Sequence, residues 1–415
     1  MSRSPSTCGG HTLGAFVTLQ STGHRVLRIL ETEVNLEYAL GHHLHCLLAQ
    51  IPVRLRRADH GWAIADRDRQ WLDVRSVLEL VAEDASLKKL HFLLLPESAV
   101  PVARFEDALA TIAARFRSNT VTMFGLEHVR LRTYRELLQH FRDDNAAALE
   151  LVQNDIESAD VLEAPVNWCC VAAKEASGRL RIFLEAKTHP FRGEEFLDAY
   201  QDLYRGRHLW LFRSRPSCFN FMALICLDYL WRDLYASNIR HLIDHANQLF
   251  FTTRQTLDAI FVVQSNPKPE HRAYRDVLTG FYGEYLEQTP GVRETVTVFG
   301  NCSEDSAIEG YDGEGTFGVS QVVIGPRHKL ARVQLPEFST DDFGGAPLCR
   351  VRFGTGTRLY YFNLPLHHEV DPRSSRLPLK IHSVLRREGE DGRWMKVSDT
   401  ERMVEMVNPS HDPES

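Results

Sequence analysis

Apolar and polar positions along this chain follow two rhythms: stretches of helical spacing and short continuous apolar runs. Residues 71–85 carry Leu72, Val74, Val77, Leu78, Leu80 and Val81 at helical spacing, and 91–95 is a short apolar run stopped by Pro96. A run of that kind predicts a buried strand. The rhythm repeats with a helix over 105–117, a strand over 120–124 ending at Gly125, and a long polar helical insertion over 134–160. Segments 166–173 and 180–184 read as two strands paired across Gly178, in the manner of a hairpin. Next come a strand at 219–225 with a helix over 229–246, and a strand at 259–263 with a helix over 270–286. Strands at 295–300 and 317–324 follow, and 348–363 supplies two more.

The first seventy residues are less regular. A short apolar run at 11–20 reads as a strand. Val26, Ile29, Leu30, Val34, Leu36, Leu40, Leu44 and Leu48 give 26–50 a helical spacing, so a helix is predicted there. On such a helix His42, His45 and Cys46 share one face. A closed metal site needs a further ligand, and none arrives at recognisable spacing; a polar face with a buried thiol is the simpler reading. Beyond His367 the chain turns charged, and 408–415 reads as a disordered tail. Helices alternating with strands, together with hairpin-like pairs, indicate an α/β sandwich rather than a simple parallel sheet.

Composition narrows the class. At 415 residues, with 43% hydrophobic and 25% charged residues, the chain can bury a sizeable core. A formal charge of -7 argues against nucleic acid as a partner, although 179–215 is locally basic. The eight cysteines form no CxxC pair and no regular spacing, so neither a zinc ribbon nor a disulfide framework is expected. Met1–Gly10 lacks the apolar core of a secretory signal, and no apolar run approaches the ~20 residues that span a bilayer. The expected setting is the cytoplasm, without a membrane partner.

Chemistry concentrates at three strand ends. Leu93-Leu94-Leu95-Pro96-Glu97 supplies a carboxylate, Glu185-Ala186-Lys187 an ammonium, and Leu224-Ile225-Cys226-Leu227-Asp228 a thiol. A thiolate is a strong nucleophile once its proton is taken. Glu97 can take that proton and return it to a leaving amine, while Lys187 can stabilise developing negative charge, with the Leu227 N–H as a second donor. Each residue alone has a plainer reading: an exposed loop carboxylate, a solvated turn lysine, an inert core thiol. The three in this order, each at a strand end, outweigh those readings.

Those segments resemble the nitrilase, or carbon–nitrogen hydrolase, superfamily. Its motifs are similar to the hydrophobic strand before Pro96-Glu97, to Lys187-Thr188-His189-Pro190-Phe191-Arg192-Gly193-Glu194-Glu195, and to Cys226-Leu227-Asp228. Asn167, Asn301 and the Gly318-Val319-Ser320 segment match lesser features. The resemblance covers roughly 71–363. It implies a four-layer αββα sandwich, as a homodimer or higher homo-oligomer, and a Glu97-Lys187-Cys226 mechanism without metal or cofactor. It also implies a second carboxylate near the lysine, for which Glu195, with Glu194 beside it, is the choice. The expected division is an N-terminal extension over 1–70, partly helical and able to include the first core strand, a hydrolase domain over 71–366, and a polar C-terminal extension over 367–415. A small amide, nitrile or carbamoyl compound is the expected substrate. The competing reading is a ligand-sensing or assembly module with little turnover, motivated by the non-core sequence at both ends and over 134–160, and known for such domains in bacterial defence systems. Asp342-Phe343-Gly344 matches a kinase tripeptide without its partner motifs. Thr340-Asp341-Asp342 reads as a polar loop.

Overall fold

The structure is a computed structural model, and it describes residues 27–38, 43–158, 161–190, 203–230, 238–253, 255–269, 289, 291–292, 294–310, 317–324, 339–343, 346–367, 376–377, 379–388 and 392–398. The chain begins β1 (Arg28–Leu36), β2 (His45–Gln50), β3 (Arg54–Ala58), β4 (Gly61–Ile64), α1 (Arg67–Glu83) and β5 (Leu90–Leu94). It continues α2 (Phe105–Arg115), β6 (Thr120–Arg130), α3 (Leu131–His140), α4 (Arg142–Ser158), β7 (Pro165–Lys174) and β8 (Leu180–Ala186). Then follow β9 (His208–Pro216), β10 (Asn220–Ile225), the single turn α5 (Leu227–Leu230), α6 (Asn238–Phe250), β11 (Ala259–Val263) and β12 (Val296–Gly300). The last elements are β13 (Ala307–Ile308), β14 (Gln321–Ile324), β15 (Ser339–Phe343), β16 (Ala346–Arg352), β17 (Arg358–Asn363), β18 (Leu366–His367), β19 (Arg376–Leu377), β20 (Lys380–Glu388) and β21 (Arg393–Lys396).

Two eight-stranded mixed sheets organise these elements. One runs β1-β9-β10-β11-β12-β14-β16-β15, the other β21-β20-β17-β2-β5-β6-β7-β8. Their strands alternate as a pleat requires. On β9, β10 and β11, Trp210, Phe212, Phe221, Ala223, Ala259 and Phe261 join the large core shared with the second sheet. Their neighbours Leu209, Leu211, Met222, Leu224, Ile260 and Val262 join a separate cluster with Leu242, Ile243, Ala246 and Phe250 of α6. One stripe of α6 therefore covers the far side of the first sheet.

Ring contacts tie the sheets face to face. Phe92 on β5 stacks on Phe261 at 4.8 Å and meets Phe221 edge-on at 5.6 Å. Such pairs add about 0.5–1.5 kcal/mol each beyond their area burial. Gly300 leaves room at this contact, since a Cβ there would lie 2.8 Å from Leu94 Cδ2 and the leucine would have to shift. On the far side of the second sheet, Phe105 of α2 and Tyr134 of α3 pack on Trp168.

The end strands on one side are covered. Helix α4 kinks at Asn145, whose amide donates to the Ile182 carbonyl and accepts the Leu184 N–H, while Asp144 accepts the Ile182 N–H. The outer edge of β8 thus spends its hydrogen bonds on a helix, a device that blocks strand addition. The outer edge of β1 meets the β7–β8 turn, where Ala176 N–H donates to the Asn35 carbonyl.

Several expectations change. The helix predicted over 26–50 is replaced by β1 and β2, both in the large sheets. Its apolar residues also fit strands, because β2 is buried throughout and carries no alternation to distinguish it. On β2, His45 and Cys46 point to opposite faces, and among the described residues no group of three or more His, Cys, Asp or Glu is placed to hold a metal ion. The polar loop at Thr340-Asp341-Asp342 is part of strand β15. The described part of 134–160 is helical as expected, divided between α3 and α4, whereas β20 and β21 beyond 367 extend the second sheet. The run at 11–20 and the helix at 270–286 lie outside the described residues. No helix among the described residues is long and apolar enough to cross a membrane.

At the end of β5 opposite Glu97, imidazoles gather. His45 stacks with His91 at 5.9 Å and lies 5.0 Å from His382. Burial first, then the neighbouring His382, His91, His43 and Lys89, lower His45 from 6.5 to about 3. The unfolded chain takes this proton below 6.5 and the folded one does not, so stability is lost as pH falls through that window toward 3. His45→Gln removes this linkage. Its stability relative to wild type is expected to rise between about pH 7 and about pH 4, measured by urea unfolding at each pH; a difference independent of pH would contradict the assignment.

Candidate active site

The register sets which side chains meet. Phe183 on β8 faces the first sheet, against Phe212 at 5.1 Å, so Glu185 and then Lys187 continue along that face. On β7, Cys169 pairs with Glu185, which puts Asn167 and Cys169 on the same inner face and Cys170 on the other. Glu97 follows Pro96 just past β5, and Cys226 ends β10. Each group thus leaves the end of a strand into the space between the sheets.

Glu97 and Lys187 are in direct contact. Lys187 Nζ donates to Glu97 Oε1 at 2.8 Å, and both side chains are almost fully removed from solvent, at 0% and 5% exposure. Asn167 Nδ2 donates to the same oxygen at 2.7 Å, and the Ser265 N–H donates to Oε2 at 2.9 Å. A buried carboxylate is tolerated only with such company. Gly125 permits the approach: a Cβ there would meet Glu97 Cα and Ser98 N at 2.5 Å. The lysine backbone is pinned as well. Its N–H donates to the Asn167 carbonyl and its carbonyl accepts the Gly206 N–H, both at 2.8 Å.

Cys226 is buried and has φ +44. A non-glycine residue in that region is strained, by of order 1–3 kcal/mol, and such residues cluster at functional turns. The turn is held by the Cys226 N–H donating to the Val263 carbonyl and the Tyr229 N–H donating to the Cys226 carbonyl. Two links bring it to the ion pair. Ser265, two residues past Val263, binds Glu97. Asp228, two residues past Cys226, accepts the N–H groups of Thr188 and His189 through Oδ1, each at 2.9 Å.

Two further carboxyls flank the lysine. Burial raises Asp228 to about 7 against the opposing pull of Lys187 and three hydrogen bonds. Burial also raises Glu185 well above the usual carboxylate range, although its Oε2 accepts the Trp210 N–H at 2.9 Å. Glu195 and Glu194 lie outside the described residues. Of the lesser features, Asn301 ties Asn266 to the Gly318 carbonyl, and Ser320 donates to Gln50 Oε1 at 2.7 Å. Ser265, Asn238 and Gln50 escaped sequence reading. The Ser265-Asn266-Pro267 turn at the end of β11 was the one available signal, because turn residues past a strand mark a loop without naming its ligand.

No protein-family model matches the chain, and no curated protein matches it. Among solved structures it is similar to XC1258 from Xanthomonas campestris, described as a CN-hydrolase superfamily protein with an arsenic adduct in the active site. The two are 15% identical with a TM-score of 0.42, over 78% of this chain and 91% of that one.

Removing the carboxylate takes from a buried ammonium the carboxylate it contacts at 2.8 Å. Glu97→Gln is expected to lower stability by ~3–5 kcal/mol in chemical unfolding. Adding Lys187→Met to it should recover a large part of that loss. A double variant as unstable as the sum of the two singles would show that the pair is not coupled.

Proposed function

We propose that the chain is a thiol hydrolase of the carbon–nitrogen hydrolase type, cleaving a non-peptide amide, nitrile or carbamoyl bond through a covalent Cys226 intermediate. The observation that carries this reading is the buried Glu97–Lys187 contact, linked by hydrogen bonds on both sides to a strained Cys226 turn. A salt bridge kept for stability alone gains little from being buried. One linked to a strained cysteine turn at neighbouring strand ends has the makings of catalysis.

For an amide the steps run as follows. Glu97 accepts the Cys226 thiol proton as Sγ attacks the carbonyl carbon, and the C=O π pair moves onto oxygen. Lys187 stabilises that oxyanion, with less solvent screening than in water. The oxyanion collapses, the C–N bond breaks, and the amine leaves with the proton from Glu97. Water, deprotonated by Glu97, then attacks the thioester, releasing the acid and the thiol. Glu97 thus serves as base and acid in turn, and Lys187 keeps its proton throughout.

The same reading entails a four-layer αββα sandwich, for which the helix packing on the far faces of both sheets gives support, and a homodimer. Glu195 is the proposed additional carboxylate. Substrate selection then belongs to the loops around the pocket rather than to the three central residues.

Intact-mass spectrometry after exposure to a pooled amide and nitrile library tests the chemistry. The expected result is a covalent adduct on Cys226 in the wild type, trapped most readily with electrophilic probes, and none in Cys226→Ala. Glu97→Gln should label slowly or not at all, and Cys226→Ser should lose turnover. Labelling of another cysteine in place of Cys226 would refute the assignment.

A further inference from the structure

Four side chains meet between the lysine loop and the cysteine turn: Thr188, His189, Asp228 and Asn238. The Thr188 hydroxyl has one hydrogen to give and two lone pairs to fill. Around its oxygen stand Asp228 Oδ1 at 2.8 Å, His189 Nδ1 at 2.7 Å and Asn238 Nδ2 at 2.7 Å. The Asn238 amide nitrogen can only donate, so it fills one lone pair. The hydroxyl hydrogen then goes either to the carboxylate or to the imidazole, and the other neighbour must supply its own.

Two complete arrangements follow. With Asp228 ionised, Oδ1 accepts the Thr188 hydroxyl and the N–H groups of Thr188 and His189, and His189 carries its hydrogen on Nδ1 to reach Thr188. With Asp228 neutral, its proton sits on Oδ1 and is donated to the Thr188 oxygen at 2.8 Å. The hydroxyl then donates to a bare Nδ1, which Asn238 Nδ2 also approaches at 3.2 Å. The imidazole hydrogen is now on Nε2. Asn238 additionally donates to the Asp228 carbonyl at 2.9 Å, which fixes the clasp to the cysteine turn.

We propose that Asp228, Thr188 and Asn238 are positioning residues that set the tautomer of His189, making its Nε2 a hydrogen-bond acceptor when Asp228 is ionised and a donor when Asp228 is neutral. The functional half of this inference, that His189 is a proton-responsive group of the active site, rests on the hydrolase reading. The tautomer half does not. Protons balance: Asp228 loses one to solvent on ionising, while the neutral imidazole gives up its Nε2 hydrogen and regains one at Nδ1 by exchange with water. The charged and titratable groups acting on Asp228 are Lys187, which favours the ionised form, and Glu185, which opposes it. The Cys169 thiol also faces it, with burial raising that thiol well above its ordinary range. Burial, opposed by Lys187 and by the hydrogen bonds from Thr188 and His189, leaves Asp228 at about 7, so both arrangements are populated near neutral pH.

Nuclear magnetic resonance of the full chain with nitrogen-15 in its histidine rings reads the tautomer directly, with His189 identified by the signal that disappears in His189→Gln. The expected wild-type result is a neutral ring with its hydrogen on Nδ1 above pH 7, exchanging toward Nε2 as pH falls through about 7. Thr188→Val and Asp228→Asn should lose that exchange, and Thr188→Ser should keep it. Where Asp228→Asn does not fold, the Thr188 pair decides. A wild-type ring that only gains a second proton, with no exchange of neutral tautomers, overturns the proposal, as does an unchanged exchange in Thr188→Val. Cys226→Ala should show the wild-type exchange. A failure of the hydrolase reading, seen as no adduct on Cys226, is therefore separable from a failure of this one.

Discussion

Taking the Lys187 ammonium and the Glu97 carboxylate out of water costs several kcal/mol per ion, and only close, well-bonded geometry offsets that cost. The geometry comes from strands that are distant in sequence. Glu97 leaves β5, Lys187 leaves β8, and the Ser265 N–H that binds the carboxylate follows β11 of the opposite sheet. The full set of bonds to the carboxylate can therefore form only when both sheets are in register and packed. Asn167 on β7 completes the shell from within the second sheet. Small residues give the necessary approach, with Gly125 beneath the Glu97 backbone and Gly300 beneath Leu94.

The thiol is held on different terms. Cys226 takes a left-handed backbone at the end of β10, where its N–H still completes a bond to the neighbouring strand. The strain is local, and the restraint comes from Asp228 gripping the lysine loop from the far side. The Lys187 loop and the Cys226 turn thus share one carboxylate as their common anchor. Burial raises that carboxylate to about 7 against the pull of the neighbouring lysine.

Strands read from short apolar runs with clear stops agree with the structure within a few residues: β5 before Pro96, β10 before Cys226, β11 and β12. Those runs are legible because a strand buried on both faces needs continuous apolar residues and ends where chemistry or a turn begins. Segment 26–50 was misread because apolar residues at mixed spacing satisfy a helix and a strand equally, and only pairing with β9 and β17 decides between them. Strand β9 hid in an arginine-rich stretch. Its Arg213 and Arg215 are partnered by Glu31 and Glu33 of β1, a pairing invisible until the two strands lie side by side. The arginines of β20 hid it in the same way, with Arg387 paired to Asp73 of α1.

From the residues alone came the three reactive groups, their order and their position at strand ends, since residue type and a stop signal are local properties. Tertiary structure alone decided that Glu97 and Lys187 touch, that Asp228 ties the lysine loop to the cysteine turn, and that Thr188 stands between Asp228 and His189. Those facts depend on burial and on distances of a few ångströms between segments some forty to ninety residues apart, which no local pattern encodes.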